Sequence, residues 1–456
     1  MLHNVWARTT TSSVTMLRVV TLLACVLALD SANTATIGAI ALPLRSALGI
    51  DDTQIGLLIA ASTGIGALTT LPAGMLIDRV RSRTRLLWQA IVLWGVAMAV
   101  AATANSFEFL LLSRLALGAV VAISTPSVAS LLGDFVPAVD RARAYGFVLT
   151  GELIGVAIGF LASGSLAAVL SWRAAFVLLA VASLVLAAVL AVALPEPPRG
   201  GAAEPHGQSG DLATLVAAAG IKPDPAQVLT TDPSGQSLWW AIRHILRVRT
   251  NRVLIVASAL GYFYLACAQT FGVEFLRDRF SLGQTAGSGL LVGAGMGAIV
   301  GVLVAGFTAD RLIRNGVLTG RVLTSGVAFL VAAAFFVPAM LATGFAVAVP
   351  LFALGAAGLG AINPPLDAAR LDTMPPRLRG RADSVRTVLR LALSAVGPVL
   401  FGYLSTRFSH AGASSADALA DTFVVLLAPV IVAGLITLVH ARRTYLRDIA
   451  TAAAVG

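Results

Sequence analysis

Five charged side chains lie inside long apolar stretches of the sequence: Asp30, Arg114, Glu152, Arg386 and Arg390. A charge near the centre of a membrane-spanning helix costs about 2.5–3.5 kcal/mol, so such residues usually face a cavity or an oppositely charged partner. Carboxylates in such places can exchange protons, and guanidinium groups can bind an anion or hold a carboxylate in an ion pair. These five residues are therefore the first candidates for proton exchange and ligand binding.

Asp30 and Arg114 are expected at similar depth. At about 1.5 Å per residue, Asp30 lies about 18 Å beyond Arg18. Arg114 lies about 9 Å from the opposite boundary at Glu108, which is about 21 Å from the first boundary in a core about 30 Å thick. We predict an Asp30–Arg114 ion pair that protonation of Asp30 breaks, since arginine keeps its proton. The alternative is a permanent structural pair.

Glu152 and Arg390 occupy corresponding positions in the two halves of the sequence, and they place an acid and a base in opposite walls of one cavity. Arg386 precedes Arg390 by one helical turn, so the two share a face. Paired guanidinium groups favour a phosphate or carboxylate on the ligand. The alternatives are that Arg386 reaches the headgroups and that Arg390 pairs with a carboxylate such as Glu152. Tyr262 and Gln269 are further ligand-binding candidates, with ordinary packing as the alternative.

The composition is that of an integral membrane protein. Of 456 residues, 57% are hydrophobic and 12% charged, and the mean hydropathy is +0.88; soluble domains are about a quarter charged. The formal net charge is +10, but the basic residues separate apolar runs, so no nucleic-acid partner is expected. The sequence has no Gly-Lys-Ser/Thr phosphate loop and no nucleophile or metal-ligand cluster. We therefore expect no cofactor and no enzymatic activity.

Apolar runs of about 20 residues, the length that crosses a bilayer, predict an all-α fold of twelve membrane-spanning helices. The predicted spans lie near 18–42, 54–77, 86–104, 109–132, 144–169, 173–194, 252–275, 285–309, 321–342, 345–366, 383–406 and 422–441. We divide the chain into a six-helix bundle (1–194), a linker (195–250) and a second six-helix bundle (251–456). Residues 237–249 predict an amphipathic helix on the inner leaflet or, alternatively, a helix that latches the two bundles.

The two halves repeat each other at one constant shift in residue number. The identical pairs are Pro126 and Pro364, Asp134 and Asp372, Pro137 and Pro375, Arg141 and Arg379, Arg143 and Arg381, Gly159 and Gly397, and Gly164 and Gly402. The same shift relates Glu152 to Arg390. Repeated bundles are typical of membrane transporters in which one bundle rocks against the other around a mid-membrane site.

The distribution of basic residues predicts the orientation of the chain. Twelve spans place both termini on one side. Of 32 Lys and Arg residues, five fall in loops of the opposite side and three inside spans, which leaves 24 on the side of the termini. Basic residues concentrate in cytoplasmic loops. We therefore expect both termini in the cytoplasm, with the chain in the plasma (inner) membrane.

Two copies of one loop pattern carry a family resemblance. They are Gly74, Asp78 and Arg79 after the second apolar run, and Gly306, Asp310 and Arg311 after the eighth. With the Arg-x-x-x-Gly stretch that begins at Arg114, the pattern resembles the major facilitator superfamily over nearly the whole chain. The resemblance implies two pseudo-symmetric six-helix bundles and a gating role for the loop pattern. In it, Asp78 pairs with an arginine and caps a helix N-terminus of the other bundle.

Shorter stretches resemble branches of that family. Residues 51–58 and 71–74, with Asp30, are similar to the spinster-like branch, whose members move lysolipids and sphingoid lipids. Gly151, Gly155 and Gly159 are similar to a glycine-rich fifth-span motif of antiporters. The resemblance implies a proton-coupled symporter or antiporter for an amphipathic organic molecule, such as an anionic lysolipid or a drug-like compound. The alternatives are an uncoupled facilitator of small metabolites and a non-transporting receptor or scaffold. Membrane lipid, protons and the substrate are the expected partners of a monomer.

Overall fold

The computed structural model describes residues 2–50, 52–200, 212–281 and 284–454, and these residues form helices and no strands. The helices of the first half are Leu2–Ala39, Ala41–Leu48, Asp52–Arg79, Arg83–Ala102, Phe107–Val121, Ser124–Phe135, Arg141–Val169 and Trp172–Ala193. Two helices of the linker are Leu212–Ala218 and Leu238–Arg247. Those of the second half are Arg249–Phe280, Gln284–Arg314, Gly320–Leu341, Phe345–Ala361, Asn363–Asp372, Arg379–His410, Ser415–Leu426, Ala428–Ile436 and Arg442–Ala453. Asp51 of the spinster-like stretch and linker residues 201–211 lie outside the described residues.

Twelve segments within the described ranges are long and apolar enough to cross a membrane, which confirms the predicted all-α fold. They are numbered here in chain order as spans 1 to 12. Span 10 runs to Asp372 instead of ending near 366, because it consists of two helices that meet at Ile362. Pro364 lies in the first turn of the second helix, where a missing N–H is tolerated but the first helix cannot continue. Span 4 is divided in the same way before Ser124.

Spans 1 and 5 pack backbone against backbone. A β-carbon added to Gly151 would lie 2.6 Å from the backbone oxygen of Ala24, and one added to Gly159 would lie 2.5 Å from that of Ala32. Such close approach requires small residues at the contact. The glycines of span 5 therefore fix the position of the helix that carries Glu152.

The two halves meet at the face where the first helix begins and the last one ends, here called the terminal face. Span 2 touches span 11 where Gly74 faces Gly380: a β-carbon added to Gly74 would lie 2.8 Å from the Gly380 oxygen. Span 8 touches span 5 in the corresponding place, where a β-carbon added to Gly306 would lie 2.7 Å from the backbone oxygen of Ala142. The terminal face is therefore closed.

The halves separate toward the opposite face, here called the open face. Near the terminal face, span 5 is almost fully buried from Arg141 to Leu149. Farther along, Ile158, Phe160 and Leu161 are 58%, 56% and 68% exposed. Val156 is exposed as well. At about 100° per residue, these four side chains are spread over more than half of the helix circumference. The exposed part of span 5 thus has no second-half helix against it.

The linker forms a helix, Leu238–Arg247, inside the predicted range 237–249. At about 100° per residue, its residues Leu238, Trp239, Ile242, Ile245 and Leu246 lie within about 120° of the helix circumference. Ala241 and Ile245 are fully buried against the ends of spans 7 and 11, whereas Trp239 is 80% exposed. The buried side of the helix therefore packs on protein, and a different side faces outward.

Candidate functional site

A small cavity of about 30 Å³ lies between the halves. Spans 1, 4 and 5 line it from the first half, and spans 7, 10 and 11 from the second. Its walls combine apolar side chains such as Leu27, Val128 and Leu149 with six charged ones. A cavity of this size holds about one or two water molecules. A larger ligand therefore needs more room than this conformation provides.

Glu152 and Arg390 face each other across the cavity. Arg390 Nη1 lies 3.9 Å from Glu152 Oε1, and the two side chains are 17% and 29% exposed. The Arg390 guanidinium also lies 4.6 Å from the centre of the Tyr262 ring, within the range of a cation–π contact. The structure thus brings together three of the residues singled out in the sequence and joins the halves by an ion pair.

Asp30 lines the same cavity from span 1. None of the described residues forms a hydrogen bond or an ion pair with its carboxylate. Two acids, Asp30 and Glu152, therefore face the cavity beside Arg390, which pairs with one of them. This arrangement leaves one carboxylate without a countercharge.

The predicted Asp30–Arg114 ion pair is not formed. Arg114 is 2% exposed and its Nη1 donates to Asn33 Oδ1 at 2.9 Å. Asn33 lies three residues after Asp30, close to one helical turn, so Arg114 reaches span 1 beside Asp30 rather than Asp30 itself. Similar depth therefore does not define which residue of a helical turn an arginine contacts.

Arg386 belongs to a buried network of two arginines and two aspartates, which we call the quartet: Asp367, Arg370, Asp383 and Arg386. Arg386 lies 3.3 Å from both Asp367 and Asp383. Arg370 lies 3.2 Å and 2.9 Å from the same carboxylates. Arg386 therefore does not reach the headgroups, and its charge is balanced inside the protein.

Gln269 is the one ligand candidate that the structure places elsewhere. Its side chain is exposed, and it is not among the described residues that line the cavity. Tyr262 lies two helical turns earlier on span 7 and does line the cavity. Seven residues make about 700° of helix, two turns less about 20°, so the two share a side but differ in depth by about 10 Å.

The two loop patterns close the terminal face. Asp78 accepts the backbone N–H groups of Gly380 and Arg381 at 3.0 Å each, and Arg381 Nε lies 3.2 Å from the same carboxylate. This is the contact that the resemblance implies for Asp78. A carboxylate at a helix N-terminus is favourable by about 0.3–1 kcal/mol, and more when partly buried.

The second copy of the pattern makes the corresponding contact. Asp310 accepts the N–H groups of Ala142 and Arg143 at 3.3 Å and 2.7 Å. Arg79 donates to the Gln236 backbone oxygen of the linker at 3.3 Å, whereas Arg311 is exposed. The two carboxylates thus cap helices of opposite halves, and the two arginines differ.

Two aspartates that the sequence analysis gave no role complete the closed face. Asp134 pairs with Arg83 of its own half and lies 2.7 Å from Arg379 of the other. By the same symmetry, Asp372 pairs with Arg321 and lies 3.0 Å from Arg141. The constant shift of the sequence repeat relates all three pairs of positions and was the available signal.

Two six-helix units that enclose a charged cavity, closed at one face and parted at the other, define the architecture of an alternating-access membrane transporter. A sequence profile of the Major Facilitator Superfamily matches residues 22–398. The chain belongs to the major facilitator superfamily, which confirms the predicted resemblance. The family consists of transporters rather than enzymes.

Relatives of known name are distant. An MFS-type efflux pump of Mycolicibacterium smegmatis is 28% identical over 433 residues, which cover 89% of this chain and 88% of that one. The 4-hydroxybenzoate transporter PcaK of Pseudomonas aeruginosa is 30% identical over 182 residues, 40% of each chain. A probable L-galactonate transporter of Escherichia coli is 27% identical over 146 residues, 32% of each chain. The chain thus matches less than half the length of these two acid transporters.

Solved structures share the fold. The Escherichia coli fucose:proton symporter FucP has a TM-score of 0.68 at 13% identity, with 93% of this chain and 99% of that chain covered. A bacterial homologue of the human lysosomal transporter Spinster, in an inward-facing and unoccupied conformation, has a TM-score of 0.56 at 20% identity. That match covers 95% of this chain and 98% of the other.

Proposed function

We propose that this protein is a proton-coupled secondary transporter that moves a small amphipathic organic anion by alternating access. The observation that carries the proposal is the ion pair between Glu152 and Arg390 across the cavity, with the unpaired Asp30 beside it. The apolar side chains in the same walls suit the non-polar part of such a substrate.

The charges of the cavity give the coupling. The quartet is neutral, because two aspartates balance two arginines. Asp30, Glu152 and Arg390 together carry one excess negative charge when both acids are ionised. An anion is repelled by that site, and an excess charge away from bulk water is unfavourable. One proton neutralises the site, and a second frees Arg390 from Glu152.

Arg390 is the group that would take the substrate. Once Glu152 is protonated, the Arg390 guanidinium can form two parallel hydrogen bonds with a carboxylate or phosphate. The Tyr262 ring holds the guanidinium in position from one side. Loading of the anion therefore accompanies loading of protons, which is the requirement for coupled transport.

Arg114 has a positioning role in this proposal. It holds span 1 through Asn33, close to one helical turn from Asp30, and so fixes the position of Asp30 within the first half. Asp78 and Asp310 would close the terminal face while the substrate site opens to the other side.

The relatives and the basic residues support the details of the proposal. PcaK is named a 4-hydroxybenzoate transporter, and the Escherichia coli relative a probable L-galactonate transporter; both named substrates are organic acids. The Mycolicibacterium relative is named an efflux pump, which favours export of a drug-like or lipid-like compound as the second candidate. The excess of Arg and Lys on the terminal side supports cytoplasmic termini for a chain in the plasma (inner) membrane. In this proposal the protein acts there as a monomer.

Transport into proteoliposomes tests the proposal. Radiolabelled 4-hydroxybenzoate, lysophosphatidylglycerol and a cationic rhodamine dye are offered with and without an imposed pH gradient. We expect gradient-driven uptake of an anion, uptake without gradient dependence in Asp30→Asn, and uptake reduced about 10- to 100-fold in Arg390→Ala. The reduction follows from loss of a charge-assisted contact of about 1.5–3 kcal/mol.

Asp421→Asn is the matched control, because it removes an exposed carboxylate near the beginning of span 12, which does not line the cavity. If anion uptake by the wild-type protein does not depend on the pH gradient, the protein is a facilitator and the proposed proton coupling is wrong. A folded protein that neither binds nor moves any probe would be a receptor or scaffold. Such a protein should tolerate Asp30→Asn and Arg390→Ala as well as it tolerates the control Asp421→Asn.

A further inference from the structure

The helix Leu238–Arg247 presents two opposite sides. At about 100° per residue, Ala241 and Ile245 point to one side, and Trp239, Arg243 and Leu246 point to the other. The first pair is fully buried, whereas Trp239 is 80% and Leu246 36% exposed, and Arg243 is also exposed. The exposed side thus combines an aromatic and an aliphatic residue with a cation.

We propose that the exposed side of this helix binds the headgroups of anionic phospholipids on the terminal face of the membrane. Trp239 and Leu246 would insert at the level of the headgroups, and Arg243 and Arg247 would contact phosphate. Tryptophan is enriched at that interface, and basic residues beside an aromatic anchor are typical of helices that lie there.

The position of the helix places it at the required depth. Span 7 begins at Arg249, directly after the helix, and Ala241 and Ile245 pack on Leu378 and Ala382 at the beginning of span 11. The helix therefore lies at the ends of two spans, where the hydrocarbon core meets the headgroup layer.

The charge of this surface is strongly positive. Arg243, Arg247, Arg249 and Arg252 are all exposed, and none of the four side chains forms an ion pair or hydrogen bond with the described residues. The helix contains no acidic residue. Burial, with the neighbouring Arg247, lowers the pKa of His244, so that its ring, stacked on Trp240, adds no charge at neutral pH. A surface with free guanidinium groups complements an anionic leaflet.

The full-length protein in neutral detergent is titrated with dihexanoyl phosphatidylglycerol and, separately, with dihexanoyl phosphatidylcholine. The signal is the fluorescence of Trp239, obtained as the difference between the wild-type protein and Trp239→Phe. We expect tighter binding of phosphatidylglycerol. The Arg243→Gln/Arg247→Gln variant should weaken that binding about 25- to 30-fold, from roughly fivefold per arginine, and leave phosphatidylcholine unchanged.

The control variant is Arg442→Gln/Arg443→Gln, which removes two exposed arginines that lie outside the helix Leu238–Arg247. It should keep the preference for phosphatidylglycerol. Equal affinity for both lipids, or equal loss in the control variant, would overturn the proposal. So would a Trp239 response to inorganic phosphate as strong as to the lipid, or a response to polyglutamate without any to lipid, which would indicate a protein partner.

Discussion

Asp383 contacts both arginines of the buried quartet. It lies 2.9 Å from Arg370 and 3.3 Å from Arg386, and all three side chains are at most 5% exposed. Arg386 in turn holds the helical turn that ends at Arg390. Loss of one buried acid therefore leaves guanidinium groups without a countercharge beside the substrate site.

Replacement of Asp383 by Asn tests this dependence. Removing one partner of a buried ion pair costs about 3–5 kcal/mol. We expect Asp383→Asn to lower the thermal-unfolding midpoint of the purified protein clearly, and exposed Asp421→Asn to leave it unchanged. Equal midpoints for the two variants would mean that the quartet contributes little to stability.

Single residues could be predicted where the sequence repeat, or the free-energy cost of a charge inside the membrane, pointed to them. The constant shift between the halves matched Glu152 with Arg390, and the structure brings them within 3.9 Å. Asp367 and Arg370 were missed because an apolar run defines the end of a span, and span 10 continues past its apolar part to Asp372. The partner of Arg114 was mistaken because helix rotation cannot be read from depth.

At the scale of elements, the first residues of the linker form hydrogen bonds with the first half of the chain. Glu196 accepts the Thr84 N–H at 2.8 Å and Arg83 Nε at 3.0 Å, and Arg199 donates to the backbone oxygens of Ile77 and Val80 at 2.7 Å. Arg83 also pairs with Asp134, which contacts the other half through Arg379. The segment therefore supports the closed terminal face.

The attachment should depend on pH. Burial acts to raise the pKa of Glu196, but hydrogen bonds from Thr84 and Arg83 outweigh it and hold the pKa below its usual value. A group with a lowered folded-state pKa contributes stability above its unfolded pKa, about 4.3, and loses it as the pH falls through the folded value. We expect Glu196→Gln to lower the unfolding midpoint at pH 7, with the difference from wild type shrinking below about pH 4.3.

The exposed Glu274→Gln serves as the control and should show no such pH-dependent difference. A difference between Glu196→Gln and wild type that stays constant down to acid pH would contradict an ionised Glu196.

Helices were the most predictable elements, since length and hydropathy define them. The linker contacts were not predictable, because its polar sequence carries no period and its partners come from three distant spans.

At the scale of the whole molecule, the closed terminal face and the parted open face are two ends of one arrangement. Asp78 and Asp310 each cap a helix of the opposite half, so breaking both caps should let the terminal face open. If the halves rotate as rigid units, the open face must close at the same time.

The most direct measurement is the distance between spin labels on the two halves at the open face. Labels at Ser46→Cys and Ser281→Cys, both exposed sites, are placed in a protein without Cys25 and Cys267. We expect a long distance in the parent protein and a population of shorter distances after Asp78→Asn/Asp310→Asn, but not after Asp421→Asn. An unchanged distance distribution, in a variant whose terminal face has become accessible, would contradict alternating access in this protein.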